Sequence, residues 1–549
     1  MANNLIITAD FETIKRGDRV EVWLADVYCL EEDKHTSFYN IADFTNYLLS
    51  IKTKQKVYFH NLRYDGNFLV NHLLKIGWQY DEKPNKKKKK FFTLIGSMSE
   101  WYMIKIGNVT VVDSLKLIPL SAAEIAITFK LDVKKGVIDY KKSRPEGYIP
   151  IREEMEYVFN DTEIIAKAIK FYRDKGLTKL TLASNALNSY KYSVNVNYFT
   201  ILFPKISDEE DEFIRDSYRG GFTYCNPSIK GKLIPKSCSY DVNSMYPACM
   251  LYDKLPHGIP KFFEGEYTED KKYPLYVIRF NAEFKLKPKH VPTILQSNGR
   301  FYTNNYYTKS NGIITLTLTS IDFEVFKKHY DISFIEFYGG YKFKAKAGLF
   351  QNYIYEWKEE KENSTGGKRF IAKRMLNSLY GKFATRKYSY VKIPHLEDDK
   401  LCFTLSEKQE LKPVYLPVSA FITSYARVRL MTVIQDNYDR FLYCDTDSIH
   451  FTGWKVPKLA IHDTLFGKWG FEGNYTKAKY LRAKTYICET TDGGKKNIKI
   501  RVAGLPKSAR QTINFENFKE GARYSGKLQQ KIIKGGVELI ETTYKIKKR

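Results

Sequence analysis

Apolar and polar positions alternate along this chain in two rhythms, one short and one helical. Near the start they come in brief runs, "NLIITADFET" and then "DRVEVWLADVYCL", both reading as strands. "KVYFHNL" at 56–62 is a third run and leads into a helix predicted from about Asp65. The spacing then lengthens. Over 152–174, "REEMEYVFNDTEIIAKAIKFYRD", apolar residues return at helical intervals, giving the clearest helix of the first third. Further on, "YRGGF" at 218–222 reads as a turn and "SYDVNSMYP" at 239–247 as a strand ending at its proline. Residues 253–350 are rich in proline, glycine and aromatic strands without catalytic spacing, which predicts an inserted module. "KENSTGGKRFIAKRMLNSLYGK" at 361–382 turns helical once past its glycine pair, and "SAFITSYARVRLMTVIQDNY" predicts another helix. A strand pair follows at about 441–451.

Composition narrows what such elements do. A length of 549 residues suggests three or four domains at roughly 150 residues each, and 15% aromatic residues mark a folded protein. The formal net charge of +27 suits a polyanionic partner whose counterions are released on contact, although a basic protein that is merely soluble shares it. Five consecutive lysines in "PNKKKKKFF", 84–92, form either a solvated loop or a phosphate-contacting hairpin tip. Cysteines 29, 225, 238, 249, 402, 444 and 488 make no CxxC pair, which predicts reduced thiols in a cytoplasmic compartment. The start shows no secretory signal, and no run of 18 apolar residues predicts a membrane span.

Candidate chemistry comes from acids in company. Asp10 and Glu12 share one face of a strand, Asp65 sits beside a helix start, and Tyr157 and Asp161 lie one turn apart on the long helix. Any one of these acids is as readily a surface or capping residue. The ordered set of four carboxylates and a tyrosine suits two divalent ions about 3.5 to 4 Å apart, an arrangement for 3′→5′ phosphodiester hydrolysis. A second set pairs Asp241 with "YCDTDS", where Asp445 and Asp447 stand one residue apart and their mutual repulsion asks for a cation. Between these segments Lys373, Asn377 and Tyr380 recur at i, i+4 and i+7 on one helix face. The stripe is either an ordinary amphipathic face or a grip for a nucleoside triphosphate, with Lys373 against the phosphates and Tyr380 against the base.

The strings "DFET", "NLRYDG", "YVFND", "YRGG", "DVNSMYP", "KRMLNSLYGK", "YCDTDS" and "KTY" together resemble the protein-primed family B DNA polymerases, nearest the replicative enzymes of phi29-type Bacillus phages. The resemblance runs in order over essentially the whole chain, with Met245 where leucine is usual. It implies an α/β multidomain fold, an N-terminal RNase H-like 3′–5′ exonuclease domain followed by a right-hand polymerase domain of palm, fingers and thumb with two insertions. The bounds it implies are 1–185 for the exonuclease, 186–252 and 416–503 for the palm, 351–384 for the fingers and 504–549 for the thumb. The insertions, 253–350 and 385–415, resemble regions that contact a priming protein and encircle the template.

The same resemblance implies roles. Asp10, Glu12, Asp65 and Asp161 would hold metals, Tyr157 would position the attacking water and Lys135 would assist. Thr13, Asn61, Tyr64, Phe68, Ser114 and Leu115 would grip the frayed primer end. Asp241, Val242 and Asp447 would bind the polymerising metals, with Asp445 in support. Tyr246 would reject a 2′-hydroxyl, and Lys361, Arg369, Lys373, Asn377 and Tyr380 would handle the nucleotide, Arg369 standing where relatives often show lysine. Lys484 and Tyr486 would steady the primer terminus, and Tyr218, Gly220 and Gly221 of "YRGG" would bridge the two active sites. Two Mg²⁺ or Mn²⁺ ions per site are implied. The implied partners are template and primer DNA, dNTPs, a terminal priming protein and a single-stranded-DNA-binding protein, for a monomer in the cytoplasm of an infected bacterial host. The chain is shorter than the best-known relative, with the shortening expected around 488–500 and in the preceding loop. A nuclease without synthesis and a basic nucleic-acid scaffold are the competing readings. The first has no need of a nucleotide-gripping helix, and the second none for two intact acid sets.

Overall fold

The computed structural model describes residues 5–83, 89–296, 305–492 and 495–547, so Lys86, Lys87 and Lys88 of the five-lysine run fall outside the described residues. The N-terminal unit is built on a sheet of eight strands among the described residues, in the order β3-β2-β1-β4-β8-β7-β6-β5. Its strands are β1 Ile7–Arg16, β2 Arg19–Cys29, β3 Lys34–Phe38, β4 Gln55–Phe59, β5 Gln79–Tyr80, β6 Lys90–Ile95, β7 Trp101–Ile106 and β8 Val109–Asp113. β1 runs parallel to β4, and β4 to β8, while β2 returns antiparallel to β1. Helices α1 Ile41–Ser50 and α2 Leu62–Lys75 connect strands, and α3 Ala122–Phe129 precedes α4 Arg152–Asp174, which packs on β1 and β2. α2 begins at Leu62, three residues before the predicted start. Asn61 turns the chain at φ 77°, and the Asp113 carboxylate accepts the N–H groups of Asn61 and Leu62 at 3.1 and 3.3 Å. A cap supplied from 51 residues away leaves no local signal.

α5 Leu182–Val194, α6 Val196–Leu202 and α7 Asp208–Arg215 lead to β9 Thr223–Cys225, β10 Leu233–Ile234 and β11 Ser237–Val242. The predicted strand over 239–247 ends at Val242, because Pro247 lies inside the first turn of α8 Met245–Tyr252. Proline is tolerated there since the first-turn N–H groups have no helical acceptor. Within 253–350, β12 Leu255–Glu264, β13 Leu275–Leu286, β14 Ile314–Thr319 and β15 Tyr330–Lys346 form an antiparallel sheet in the order β12-β15-β13-β14, with α9 Ser320–His329 against it.

Two helices follow where one was expected. α10 Gln351–Asn363 takes in the "KEN" that was expected to precede the helix, and α11 Gly366–Phe383 starts on the glycine pair itself and not past it. Gly367 fits because it lies flat on Phe129 of α3, where an added Cβ would come within 2.3 Å of the ring. β16 Tyr388–Ser389 pairs β19 Gln409–Glu410, and β17 Lys392–Glu397 pairs β18 Lys400–Leu405. α12 Leu416–Asp436 then crosses the centre of the molecule, largely buried. β20 Phe441–Asp445, β21 Ser448–Thr452 and β22 Trp469–Tyr475 complete a sheet in the order β22-β11-β21-β20-β9. β23 Lys477–Arg482, β24 Thr485–Asp492 and β25 Lys495–Val502 make a second sheet with β10. The C-terminal hairpin, β26 Arg523–Ile533 and β27 Gly536–Lys545, reaches back to the N-terminal unit. There the Lys534 carbonyl accepts the Val20 N–H at 3.0 Å, and Val537 joins the apolar core of Phe11, Phe59 and Val111.

Candidate active sites

The first acid set lines one cleft of about 1160 Å³ between the N-terminal sheet, α2, α4 and the C-terminal hairpin. Asp10 and Glu12 come from one face of β1, Asp65 from the first turn of α2, and Tyr157 and Asp161 from successive turns of α4. Burial, then the neighbouring Asp65, Asp161 and Glu12, push the Asp10 carboxyl well above its ordinary range. Burial and Asp161 raise Glu12 to about 8, and burial raises Asp65 and Asp161. Lys135 donates to the Asp161 carboxylate and lies 4.9 Å over the Tyr157 ring. Tyr140, which the sequence reading did not single out, shares a hydrogen bond of 2.9 Å between its hydroxyl and that of Tyr157. Thr13 and Tyr64 share a 2.6 Å hydroxyl contact, and Asn61 and Leu115 also line the cleft. Ser114 and Phe68 lie deeper. Ser114 donates to the Phe59 carbonyl at 2.9 Å, and the Phe68 ring sits beneath Gly536 of the hairpin.

The second set meets at the turn between β20 and β21. Asp241 lies opposite Ser448 in the β11–β21 register, and the Val242 N–H donates to the Asp447 carbonyl at 2.8 Å. Acids far apart in sequence are thereby neighbours across two hydrogen-bonded strands. Burial, then Asp447 and Glu472, push Asp241 up to about 7, and burial, Asp445 and Glu472 push Asp447 up to about 6. Asp445 is held differently. Its carboxylate pairs with the Lys484 ammonium at 3.2 Å and accepts from the Thr446 hydroxyl at 3.0 Å, so its charge is already partnered. Lys484 itself, at φ 54°, donates its N–H to the Tyr443 hydroxyl at 2.8 Å, and Tyr486 lines the same cleft. Glu472 on β22 is a fourth acid of this cleft, beside Asp241, Asp445 and Asp447, that sequence reasoning missed. The irregular pairing of β11 with β22 between Ser239 and Tyr240 sets its position, and the Ser239 hydroxyl donates to it at 3.3 Å.

α11 faces this turn. Lys373 acts on Asp241, lowering its pKa against the acids, and Lys373 and Asn377 are exposed on that helix. The Tyr380 ring stacks on Tyr246 with centroids 4.0 Å apart. Lys361 at the end of α10 donates to the Ser244 hydroxyl at 3.4 Å, and Arg369 donates to the Lys361 carbonyl. The "YRGG" segment is an irregular loop, its Arg219 and Gly220 carbonyls accepting from Arg427 of α12 at 2.7 and 2.8 Å. Arg427 is in turn ion-paired with Asp322 of α9, a tether that no local pattern announces. Gly221 touches the turn closely enough that a Cβ would meet Thr446 Cγ2 at 2.9 Å.

Among the described residues no three His, Cys, Asp or Glu side chains are drawn together tightly enough to hold an ion as they stand. The donor chemistry nevertheless fits a hard cation. Asp65, Asp161 and Asp241 each bury a carboxylate oxygen, Oδ1, that has no hydrogen-bond partner, and the surrounding acids disfavour one another's charge.

The family described as DNA polymerase type B, organellar and viral, matches residues 47–155 and 143–466 of this chain. The chain is 39% identical over 574 residues to the DNA polymerase of Bacillus phage phi29, covering 98% of each. To the DNA polymerase of Bacillus phage Nf it is 37% identical over 577 residues, covering 99% of each. The structure matches phi29 DNA polymerase complexed with primer-template DNA and incoming nucleotide substrates at a TM-score of 0.94 and 36% identity, covering 99% of this chain and 100% of that one. The chain belongs to the type B DNA polymerases of organelles and viruses, and is a DNA-directed DNA polymerase with an exonuclease and a polymerase domain.

Proposed function

We propose that this phage-type polymerase copies primed DNA in the infected bacterial cell, begins from a hydroxyl of a priming protein, displaces the non-template strand and proofreads with a separate 3′–5′ exonuclease. The observation that carries the synthetic part is the meeting of Asp241 and Asp447 across hydrogen-bonded strands, opposite Lys373 of α11. In this reading 1–185 is the exonuclease domain, 186–252 and 416–503 the palm, 351–384 the fingers and 504–549 the thumb, and 253–350 and 385–415 serve the priming protein and the template.

Enzymes of this family generally use divalent metal ions, which would neutralise phosphate charge and ease loss of a proton from the attacking oxygen. Asp241, Val242 and Asp447 would hold such ions for synthesis, and Asp10, Glu12, Asp65 and Asp161 for hydrolysis, two in each case. The chain's own groups do the rest. Lys373, Lys361 and Arg369 offset the triphosphate charge, Asn377 orients it, and Tyr380 flanks the base. Tyr246, backed by the stacked Tyr380 ring, has little room to retreat and so excludes a 2′-hydroxyl. Lys484, fixed between Asp445 and Tyr443, steadies the primer terminus with Tyr486. In the exonuclease cleft Tyr157, held by Tyr140 and Lys135, orients the water.

The test is primer extension with dNTPs and Mg²⁺. Asp447→Ala is expected to abolish extension and leave degradation of single strands, and Asp10→Ala to do the reverse. A single substitution that removed both activities from a folded protein would overturn two independent sites. Incubation with labelled dATP and candidate phage proteins checks priming, with a covalent protein–nucleotide adduct as the expected product.

A further inference from the structure

Away from both clefts, a further concavity lies where the central strands β4, β8 and β7 of the N-terminal sheet meet the end of α4. Lys54 just before β4, Lys56 on it, Lys105 on β7 and Arg173 in the last turn of α4 line a cleft of about 510 Å³. Three separate stretches of chain contribute these four cations, and no aspartate or glutamate lines the cleft among the described residues. The crowding has an electrostatic signature. Burial, then Arg173 and Lys179, pull the Lys56 ammonium below its ordinary pKa while it donates to the Thr178 carbonyl at 3.2 Å. The cleft is also remote from the exonuclease acids. Arg173 stands twelve residues beyond Asp161 on α4, about 18 Å along the axis at 1.5 Å per residue.

Cations gathered in a groove without acids are stabilised when an anion enters, and the phosphodiester backbone is the polyanion this family handles. We propose that this cleft holds the phosphate backbone of a single DNA strand while the polymerising and exonuclease clefts are otherwise engaged. The inference goes beyond the proposed catalytic function and does not depend on it. Lys56 and Lys105 stand on strands of the sheet and Arg173 at a helix end, so the bound strand is tethered at a fixed place on the N-terminal unit.

The test uses the full chain loaded on a chain-terminated primer–template without divalent metal, titrated with a dye-labelled thymidine 20-mer and read by fluorescence anisotropy. Lys54 and Lys105 are exposed, so the double variant K54E/K105E is expected to fold, which its thermal midpoint checks. It should bind the second strand at least tenfold more weakly. The slope of log affinity against log salt should flatten by about 1.4, at roughly 0.7 for each phosphate no longer neutralised by a lysine. Primer–template affinity and primer extension on a short template should be unchanged. Equal second-strand binding by the variant would overturn the proposal, as would an equal loss on the primer–template. Inorganic phosphate that displaced the strand at equal phosphate concentration would replace the strand with a free-phosphate site. A second variant, K56A, removes the half-buried cation without reversing charge and should weaken second-strand binding in the same sense.

Discussion

Glu472 shows how a single side chain acquires a role through register alone. Nothing in "WGFEGNY" sets it apart, yet β22 delivers it beside Asp241 and Asp447, where its charge raises both carboxyls. Lys499 at 3.5 Å and the Ser239 hydroxyl at 3.3 Å hold it in place. Its charge disfavours ionisation of the pair in the metal-free protein and favours a cation once one is present. Glu472→Gln is therefore expected to raise the Mg²⁺ concentration needed for half-maximal extension several-fold while leaving single-strand degradation unchanged. A Mg²⁺ titration of both activities checks this, and an unchanged requirement would mean that Glu472 serves only Lys499. Asp445 makes the contrast. Its charge is met by Lys484 at 3.2 Å across a partly exposed gap, so Asp445→Asn should cost less than about 1 kcal/mol of stability. It should slow extension about tenfold, against abolition by Asp447→Ala.

At the scale of elements, those with strong internal periodicity were legible and those defined by distant partners were not. α4 spans 152–174 as its apolar spacing predicts, and β1, β2, β20 and β21 lie where short apolar runs placed them. The start of α2 depends on Asp113, and the helical glycine pair of α11 on Phe129, both contributed from far along the chain. The acids of the two clefts were readable as motifs, while Glu472, Tyr140 and the Arg427–Asp322 tether exist only through packing. The C-terminal hairpin is the clearest case. Its lysine-dotted text is compatible with a basic tail, yet its tip is fastened to the N-terminal unit by Lys534–Asp18 at 2.6 Å and Lys15–Glu538 at 2.8 Å. Gly535 permits the approach. It adopts φ 83°, and a Cβ there would meet the Val20 carbonyl oxygen at 2.3 Å. Gly535→Ala meets both backbone strain of about 1–2 kcal/mol and that clash. It should lift the tip, so that limited proteolysis cuts within 523–545 faster and DNA dissociates several-fold faster from an otherwise folded enzyme.

The whole molecule combines a net charge of +27 over the full chain with acids clustered in two clefts. The clusters set how stability responds to pH. In the folded chain Glu12 titrates at about 8, Asp241 at about 7 and Asp447 at about 6, all above the ordinary carboxylate range of the unfolded chain. Groups with raised pKa bind protons more tightly when folded. Their contribution is fully present below the ordinary carboxylate pKa and is lost as pH rises through about 6 to 8. Asp322 works in the other direction. Although its burial acts to raise the pKa, Arg427 and hydrogen bonds from Arg427, Ser424 and Thr319 outweigh burial and hold it below its ordinary value, so its contribution is lost in acid. The metal-free protein should therefore be most stable between these limits, and its thermal midpoint should fall from about pH 5.5 to about pH 8.5. On the proposed function Mg²⁺ would bind the ionised carboxylates of the folded state and not the unfolded chain, so saturating Mg²⁺ should cancel most of that fall by mass action. The double variant D241N/D447N removes two of the raised groups and should melt a few degrees higher than the parent at pH 8 without metal, with a smaller Mg²⁺ response. Melting curves over this range with and without Mg²⁺ decide the matter. A midpoint that rises toward pH 8.5 in the absence of metal would mean that the acids are solvated rather than stacked against one another.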